Sequence, residues 1–245
     1  MTEGVYLNEA YRTELDSVVA EAAPDGVVLD RTIFYPAGGG QPCDAGVLSG
    51  AGGQQWPVVG VEKSDRGILH RLDGRGPPPA PGTPVHGQID WARRYSNMRY
   101  HTALHILSGV VYRRWHTGIT GGQIYEGRAR MDFSLPEFGR PLAEELIGEM
   151  NRVVAEARTV SVRFLPRREA ERDPTLVRVA ATLMPEVAEV RLIDIQGFDV
   201  QADGGTHVAN TREVGEVRLD RIENKGARNK RLYLSLAPAP MAPPP

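Results

Sequence analysis

Short runs of apolar residues, broken by glycine and proline, characterise the first 90 positions of the chain. They lie at residues 26–29, 32–35, 57–61, 67–72 and 85–89. Runs of this length with turn-forming residues between them predict β-strands rather than helices. Many short strands in one segment are typical of a small barrel or sandwich.

A helical pattern replaces these strands after Asp90. Residues 91–115 contain no proline and one glycine, and their aliphatic side chains recur at helical spacing, which predicts a long helix. Pro141 opens a second amphipathic helix, predicted over residues 142–157. Strands are predicted at residues 160–165, 188–195, 215–219 and 231–236, the last two as a hairpin around residues 224–226. This irregular mixture predicts an α+β fold.

Proline-rich segments indicate where the domains end. Five prolines crowd residues 77–84, which suit neither a helix nor a central strand, and residues 237–245 are again rich in proline. The first segment is either a boundary or a loop of the barrel, because residues 85–89 form the last predicted barrel strand. We predict a β-barrel domain over residues 1–90, a second domain over residues 91–236 and a disordered tail over residues 237–245.

Composition restricts the chemistry that the chain can perform. The 245 residues are 41% hydrophobic and 24% charged, as in a globular protein, and no apolar stretch is long enough to cross a bilayer. The first residues lack the pattern of a secretion signal, so we expect a cytoplasmic protein without a membrane partner. Cys43 is the single cysteine, which excludes an internal disulfide and a cysteine-rich zinc site. Any metal must be held mainly by histidine and carboxylate.

Charge is distributed unevenly along the chain. Residues 1–90 carry a net charge of −6, and residues 91–245 carry a net charge of +4. Residues 91–125 contain no acid and five arginines, Arg93, Arg94, Arg99, Arg113 and Arg114. This asymmetry favours a polyanionic partner for the second half, although a solvated helix face explains the charges alone equally well.

Four residues have the spacing of a metal site. His101 and His105 are four positions apart in the predicted helix, so both imidazoles reach the same helix face. Asp203 and His207 are also four apart, but two glycines between them predict a loop. Together the pairs complete a tetrahedral zinc set or leave one position open for water. Each pair also has a purely structural explanation, as histidines of a half-buried helix and as a solvated turn.

A third feature is the sequence Gly38-Gly39-Gly40-Gln41, which follows a predicted strand. Consecutive glycines usually form a flexible turn. The following Pro42 limits that freedom and leaves the amide of Gln41 at the tip of the loop.

The order of three motifs points to a family. Residues 32–46 (TIFYPAGGGQPCDAG), residues 99–105 (RYHTALH) and residues 204–215 (GGTHVANTREVG) follow one another along the chain. Their combination resembles the alanyl-tRNA editing proteins, the free-standing relatives of the editing domain of alanyl-tRNA synthetase. The resemblance covers about residues 6–236, and the length is that of the medium-sized members.

This resemblance implies a fold and an activity. The fold is a translation-protein-like β-barrel followed by an α/β editing domain of the type common to threonyl- and alanyl-tRNA synthetases. The activity is that of a zinc-dependent aminoacyl-tRNA deacylase, which hydrolyses in trans the ester between alanine tRNA and a wrong amino acid, chiefly serine, with glycine as a second candidate. Two alternatives stay open, hydrolysis of another aminoacyl ester and tRNA binding without hydrolysis.

The resemblance also implies a set of metal ligands. The family holds one zinc ion per chain with a histidine pair and a later Cys-x3-His pair. His101, His105 and His207 match this pattern, whereas Asp203 stands in the place of the cysteine. We expect Asp203 to bind zinc, and the alternative is that it acts as a general base for water.

Further residues are implied to contact the substrate. Thr120 and Gln123 follow the predicted helix that carries His101 and His105, and they are expected to recognise the serine hydroxyl. The loop of Gly38, Gly39, Gly40 and Gln41 is expected to approach the amino-acid pocket. The five arginines are expected to bind phosphates of the acceptor stem, which position the tRNA without reading its sequence.

Overall fold

The chain forms two compact units. The computed structural model describes residues 2–135, 138–173, 175–176, 187–226 and 229–238. The units comprise residues 1–97 and residues 98–241, and helix α1 (Trp91–Trp115) begins in the first and ends in the second. The domain boundary that the sequence predicts after residue 90 lies before the division between residues 97 and 98. The limits of the two domains therefore stay a prediction. Residues 239–245 of the predicted tail lie outside the described residues.

The first unit contains a closed barrel. Its strands are β1 (Glu3–Gly4), β2 (Glu14–Ala23), β3 (Gly26–Leu29), β4 (Arg31–Thr32), β5 (Gly46–Ser49), β6 (Gln55–Ser64), β7 (Gly67–Leu72) and β8 (Pro84–Ile89). Six of them close in the order β2-β3-β7-β6-β5-β8, each antiparallel to its neighbours. The short strands β1 and β4 form a separate parallel pair.

Four of the five strands predicted for this unit are confirmed, as β3, β6, β7 and β8. The prediction of a strand over residues 32–35 is wrong beyond Thr32, because Ile33, Phe34 and Tyr35 leave the strand and fill the barrel core. Strands β2 and β5 were not predicted. In β2 the buried Leu15 lies between two exposed acidic residues, and buried and exposed positions alternate from there to Val19. This period of two is typical of a strand, but the acidic residues make the apolar pattern hard to recognise in the sequence.

A buried ion pair ties the start of α1 to the barrel. The side chains of Arg94 and Asp44 are both 0% exposed and form an ion pair. Arg94 also donates hydrogen bonds to the carbonyl oxygens of Ala10 (2.8 Å) and Ile33 (2.6 Å). Asp44 accepts a further bond from the Tyr35 amide at 2.7 Å. Both charges are therefore satisfied inside the unit.

The second unit consists of two antiparallel sheets and the helices packed on them. Its elements after α1 are β9 (Ile119–Tyr125), β10 (Arg128–Ser134), α2 (Arg140–Ala155), β11 (Val160–Pro166), α3 (Arg167–Ala170), β12 (Glu189–Ile195), β13 (Asp199–Ala202), β14 (Val217–Asn224) and β15 (Asn229–Leu236). One sheet has the order β14-β15-β10-β9, and the other has the order β11-β12-β13.

Both predicted helices are confirmed as α1 and α2, and so are the four predicted strands of this unit, as β11, β12, β14 and β15. The hairpin of β14 and β15 is confirmed as well. Strands β9, β10 and β13 were not predicted. The fold class is α+β, as expected. Residues 98–111 of α1 are all buried, so this helix forms the centre of the unit rather than its surface.

We predict that Asp44→Asn destabilises the protein strongly, because it leaves the guanidinium of Arg94 buried without a counter-charge. The expected loss in the free energy of unfolding is about 3 kcal/mol or more. Urea denaturation followed by tryptophan fluorescence measures it. The matched control is Asp25→Asn, which breaks the ion pair between Asp25 and Arg71. The side chains of Asp25 and Arg71 are 55% and 42% exposed. This variant is therefore expected to lose less than about 1 kcal/mol of unfolding free energy. Equal losses in both variants would contradict the role of the buried pair.

Candidate metal centre

Four side chains from α1 and from the loop after β13 meet in the second unit. The rings of His101, His105 and His207 have centroids 4.4–5.1 Å apart. Asp203 faces all three: its Oδ1 lies 3.6 Å from His101 Nε2 and 3.9 Å from His105 Nε2, and its Oδ2 lies 3.2 Å from His207 Nε2. The four predicted residues therefore form one cluster, whose potential ligand atoms all lie within 4.8 Å of one another.

The spacing of these atoms fits a tetrahedral ion. Nitrogen and oxygen ligands bind zinc at about 2.0–2.2 Å, so the corners of a tetrahedral site are about 3.3–3.6 Å apart. The three distances from Asp203 to the imidazoles, 3.2–3.9 Å, lie close to this range. Small side-chain shifts are therefore enough for the three nitrogens and one carboxylate oxygen to share one ion.

Burial and protonation also suit a cation. Burial lowers the pKa of His207 to about 3 and also lowers the pKa of His101. Burial is the largest single effect on Asp203 and raises its pKa, but the facing imidazoles of His101, His207 and His105 together hold the pKa well below its usual value. Neutral imidazoles and an ionised carboxylate are the protonation states in which these side chains bind metals.

Close packing holds the histidine helix against β13. A Cβ atom at Gly109 would lie only 2.6 Å from Cε1 of Phe198, so this position of α1 has room for glycine alone. One residue earlier, Ser108 donates a hydrogen bond to Gln201 Oε1 at 2.9 Å, and Gln201 Nε2 donates to the carbonyl oxygen of His105 at 3.3 Å. These contacts fix His105 beside the strand that leads to Asp203.

Backbone hydrogen bonds fix the position of Asp203. Its amide donates to the carbonyl oxygen of Arg191 at 3.1 Å, and the Arg191 guanidinium donates to the carbonyl oxygen of Asp203 at 2.8 Å. The Gly205 amide donates to the Asp203 carboxylate. Arg191 is buried on β12 and also lowers the pKa of His101 and His207. Nothing in its spacing or neighbours along the sequence marks Arg191 as part of the cluster.

Thr102 orients the third imidazole. It is 0% exposed, and its Oγ1 lies 3.2 Å from His207 Nδ1 and accepts a hydrogen bond from the Val208 amide at 3.2 Å. His207 can present the lone pair of Nε2 to a cation only when Nδ1 carries the proton, and Thr102 Oγ1 is placed to accept that proton's hydrogen bond. One helical turn thus supplies two candidate ligands and the group that orients another.

The other predicted substrate residues lie in varied surroundings. Thr120 is exposed at the start of β9 and donates a hydrogen bond to Asn229 on β15 at 3.3 Å. Gln123 donates to the carbonyl oxygen of Ile124 at 3.3 Å. As serine contacts, both stay predictions.

The glycine loop belongs to the barrel unit. Gly38 and Gly39 are exposed, and Gly39 and Gly40 have φ angles of +58° and +83°, which favour glycine. Gln41 is only 1% exposed, so its amide is held inside the barrel unit instead of projecting from the loop tip. The expected approach of this loop to the amino-acid pocket stays a prediction.

The arginine series divides into internal and exposed members. The predicted phosphate contacts of two members need correction. Arg94 pairs with Asp44, and Arg99 is 5% exposed and donates to carbonyl oxygens including that of Val214 at 2.7 Å. Their guanidinium groups are therefore structural.

Three members of the series remain exposed as candidate tRNA contacts. Arg93 donates to the carbonyl oxygen of Cys43 at 2.9 Å, and Arg113 donates to that of Phe198 at 2.7 Å. Arg114 lies 2.8 Å from Glu145. All three are exposed, so their contacts with phosphates stay predictions.

Comparison with known proteins supports the same interpretation. Residues 4–93 match the family described as tRNA synthetases class II (A), and residues 190–233, which include Asp203 and His207, match the threonyl and alanyl tRNA synthetase second additional domain. The alanyl-tRNA editing protein AlaX-M of Saccharolobus solfataricus is 40% identical over 239 residues, which cover 97% of this chain and 100% of that relative. The chain belongs to the alanyl-tRNA editing protein family.

Other relatives agree with this membership. The alanyl-tRNA editing protein AlaX-M of Methanosarcina barkeri is 38% identical over 241 residues, 96% of this chain and 99% of the relative. The alanine–tRNA ligase of Thermococcus kodakarensis is 37% identical over 228 residues, which cover 91% of this chain but 24% of the ligase. The chain thus corresponds to one part of that larger enzyme. Among the described residues, no helix has the length and apolar character needed to span a membrane.

We predict that Thr102→Val weakens zinc binding about tenfold or more, because the variant keeps the side-chain shape but cannot accept the hydrogen bond of His207. Thr102→Ser keeps the hydroxyl and is expected to bind zinc like the wild type. Competition with a coloured chelator measures both affinities. If Thr102→Val binds zinc as tightly as the wild type, the hydroxyl does not orient His207.

Proposed function

We propose that this protein acts in trans on alanine tRNA that wrongly carries serine, and that it hydrolyses the ester bond between the serine and the tRNA. Alanine tRNA that carries glycine is the second proposed substrate. The observation that supports the proposal most is the buried cluster of His101, His105, His207 and Asp203 in a chain of the alanyl-tRNA editing family. A tRNA substrate also makes the cytoplasm the expected place of action.

The cluster suits one zinc ion. A bound zinc ion would supply Lewis acidity for hydrolysis of the aminoacyl ester. His101 and His105 offer nitrogens from one turn of α1, and Thr102 keeps His207 in the orientation in which Nε2 faces the cluster.

Asp203 serves this site as a ligand rather than as a base. Its Oδ1 faces His101 and His105, and its Oδ2 accepts a hydrogen bond from the Gly205 amide and lies 3.2 Å from His207 Nε2. The carboxylate is thus held by its surroundings with both oxygens directed into the cluster.

The presence of Asp203 where the family has cysteine also favours a second candidate function. A member with an altered site would bind alanine tRNA without cleaving it. Three imidazoles that already point to a common centre argue against this alternative, because loss of catalysis would remove the need to keep them together.

We predict that the purified protein deacylates seryl-tRNA made with alanine tRNA faster than seryl-tRNA made with serine tRNA. A chelator is expected to abolish the activity, and added zinc is expected to restore it. Release of labelled serine measures each rate. Equal rates on the two tRNAs would favour a general aminoacyl esterase, and tRNA binding without serine release would favour the non-hydrolysing module.

We predict that Asp203→Ala contains much less zinc than the wild type, because the variant removes one of four ligands. Asp203→Cys is expected to retain zinc, since a thiolate is an accepted ligand. Elemental analysis after dialysis measures the content. Asp194→Ala is the matched control, since Asp194 is an acid of β12 whose 24% exposed side chain pairs with Arg163. Full zinc occupancy in Asp203→Ala would show that Asp203 is not a ligand.

A further inference from the structure

We propose that the outer face of the sheet β14-β15-β10-β9 binds the single-stranded 3′ end of the tRNA. The outer face is defined by Tyr125, Arg128, Arg130, Arg221, Arg231 and Tyr233. The inference rests on the proposed function, because it takes the substrate to be an aminoacylated RNA, and it assigns that RNA a surface.

Alternation along the strands separates this face from the core. Ala129, Met131 and Phe133 on β10 and Leu232 and Leu234 on β15 are at most 3% exposed. The intervening residues point the other way, and the register places Arg130 opposite both Tyr233 on β15 and Gln123 on β9. The sheet therefore has one apolar side and one polar side, as is usual for an antiparallel sheet that faces water.

Basic groups outnumber acids around two carboxylates of the face, those of Asp132 and Glu223. Asp132 pairs with both Arg130 (2.8 Å) and Arg231 (2.7 Å). Glu223 pairs with both Arg221 (2.8 Å) and Lys225 (3.0 Å). Each carboxylate is thus shared by two cations, and the cluster keeps an excess of positive charge. A single partner would be enough to neutralise each acid, so the excess is complementary to a polyanion.

Arg128 adds a cation without a counter-charge. In the described parts of the chain no carboxylate lies within 4.0 Å of its guanidinium, which is exposed and stands 5.3 Å from the ring centroid of Tyr125. Tyr125 is 38% exposed. Exposed phosphates pair with free guanidinium groups, and unpaired bases stack on aromatic rings, so this pair offers both contacts to one nucleotide.

A second arginine–tyrosine pair lies farther across the sheet. The guanidinium of Arg221 covers the Tyr233 ring at 4.1 Å from its centroid, which leaves Tyr233 8% exposed, whereas the Arg221 side chain is 56% exposed. The planar face of a guanidinium is itself a stacking surface for a base. Two such platforms on neighbouring parts of one sheet suit a strand with splayed bases better than a duplex, whose bases are already stacked.

The edge of this face adjoins the candidate metal centre. Strand β9 is an edge strand of the sheet. On the apolar side, which Gly122 shares with its register partner Met131, a Cβ atom at Gly122 would lie 4.0 Å from Cδ1 of Leu104 on α1. Leu104 directly precedes His105, one of the candidate ligands. A 3′ strand that crosses the outer face and turns around the edge at β9 to the apolar side therefore reaches the helix that carries two of the four cluster residues.

Fluorescence anisotropy with two RNA probes tests the proposal on the full chain. One probe is an RNA hairpin of the alanine tRNA acceptor stem with unpaired 3′ nucleotides, and the other is the same hairpin with a blunt end. The variants are Arg128→Gln, Arg221→Gln and Tyr125→Leu. Arg140→Gln is the matched control, because Arg140 is a 66% exposed arginine of α2 that pairs with Glu144.

Arg128→Gln and Arg221→Gln are each expected to bind the overhang probe more weakly than the wild type. Each is also expected to reduce the slope of the logarithm of the binding constant against the logarithm of the salt concentration by about 0.7–1. Tyr125→Leu is expected to lose about fivefold or more on the overhang probe and to bind the blunt probe like the wild type. Arg140→Gln is expected to match the wild type on both probes.

Wild-type affinity in both sheet arginine variants would overturn the proposal, and so would an equal loss in Arg140→Gln. If Tyr125→Leu loses the same affinity for both probes, Tyr125 does not bind the single-stranded 3′ end. Serine release by the wild type is measured on the same preparation. Face-dependent binding without that release would defeat the proposed function and leave the RNA surface standing.

Discussion

A central helix that is buried on every side must satisfy its polar side chains within the protein, and this constraint shapes the whole second unit. Residues 98–111 of α1 are all buried, yet they include Arg99, His101, Thr102, His105 and Ser108. Burying a polar group without a partner costs free energy of the order of kilocalories per mole. Each of these side chains therefore requires a defined partner, and those partners come from segments about 100 residues later in the chain.

The same need for partners brings the residues of the candidate metal centre together. Arg99 is satisfied by backbone carbonyl oxygens, and Ser108 is satisfied by Gln201. The two histidines instead face Asp203, whose own position is fixed through Arg191 and Gly205. A carboxylate is a harder ligand than a thiolate and donates less electron density, so a zinc ion in this set would be the stronger Lewis acid. A set of three imidazoles and one carboxylate, without a thiolate, thus fits a hydrolytic site.

Local spacing along the sequence predicts much of the site but not its surroundings. The four-residue spacing of His101 and His105 is a property of one helix, so it can be recognised without the fold. The pairing of Arg94 with Asp44 joins residues 50 positions apart, and a run of arginines without acids does not show which guanidinium groups are internal. Strand β9 escaped prediction because two adjacent glycines interrupt its apolar pattern, although its register with β10 is regular over most of its length.

In the proposed site, three imidazoles and one carboxylate hold zinc without any sulfur ligand. Zinc K-edge X-ray absorption spectroscopy of the purified protein tests it most directly. We expect a first shell of nitrogen and oxygen at about 2.0–2.1 Å with the outer scattering of three imidazoles. A sulfur shell at about 2.3 Å, or fewer than three imidazoles, would contradict it.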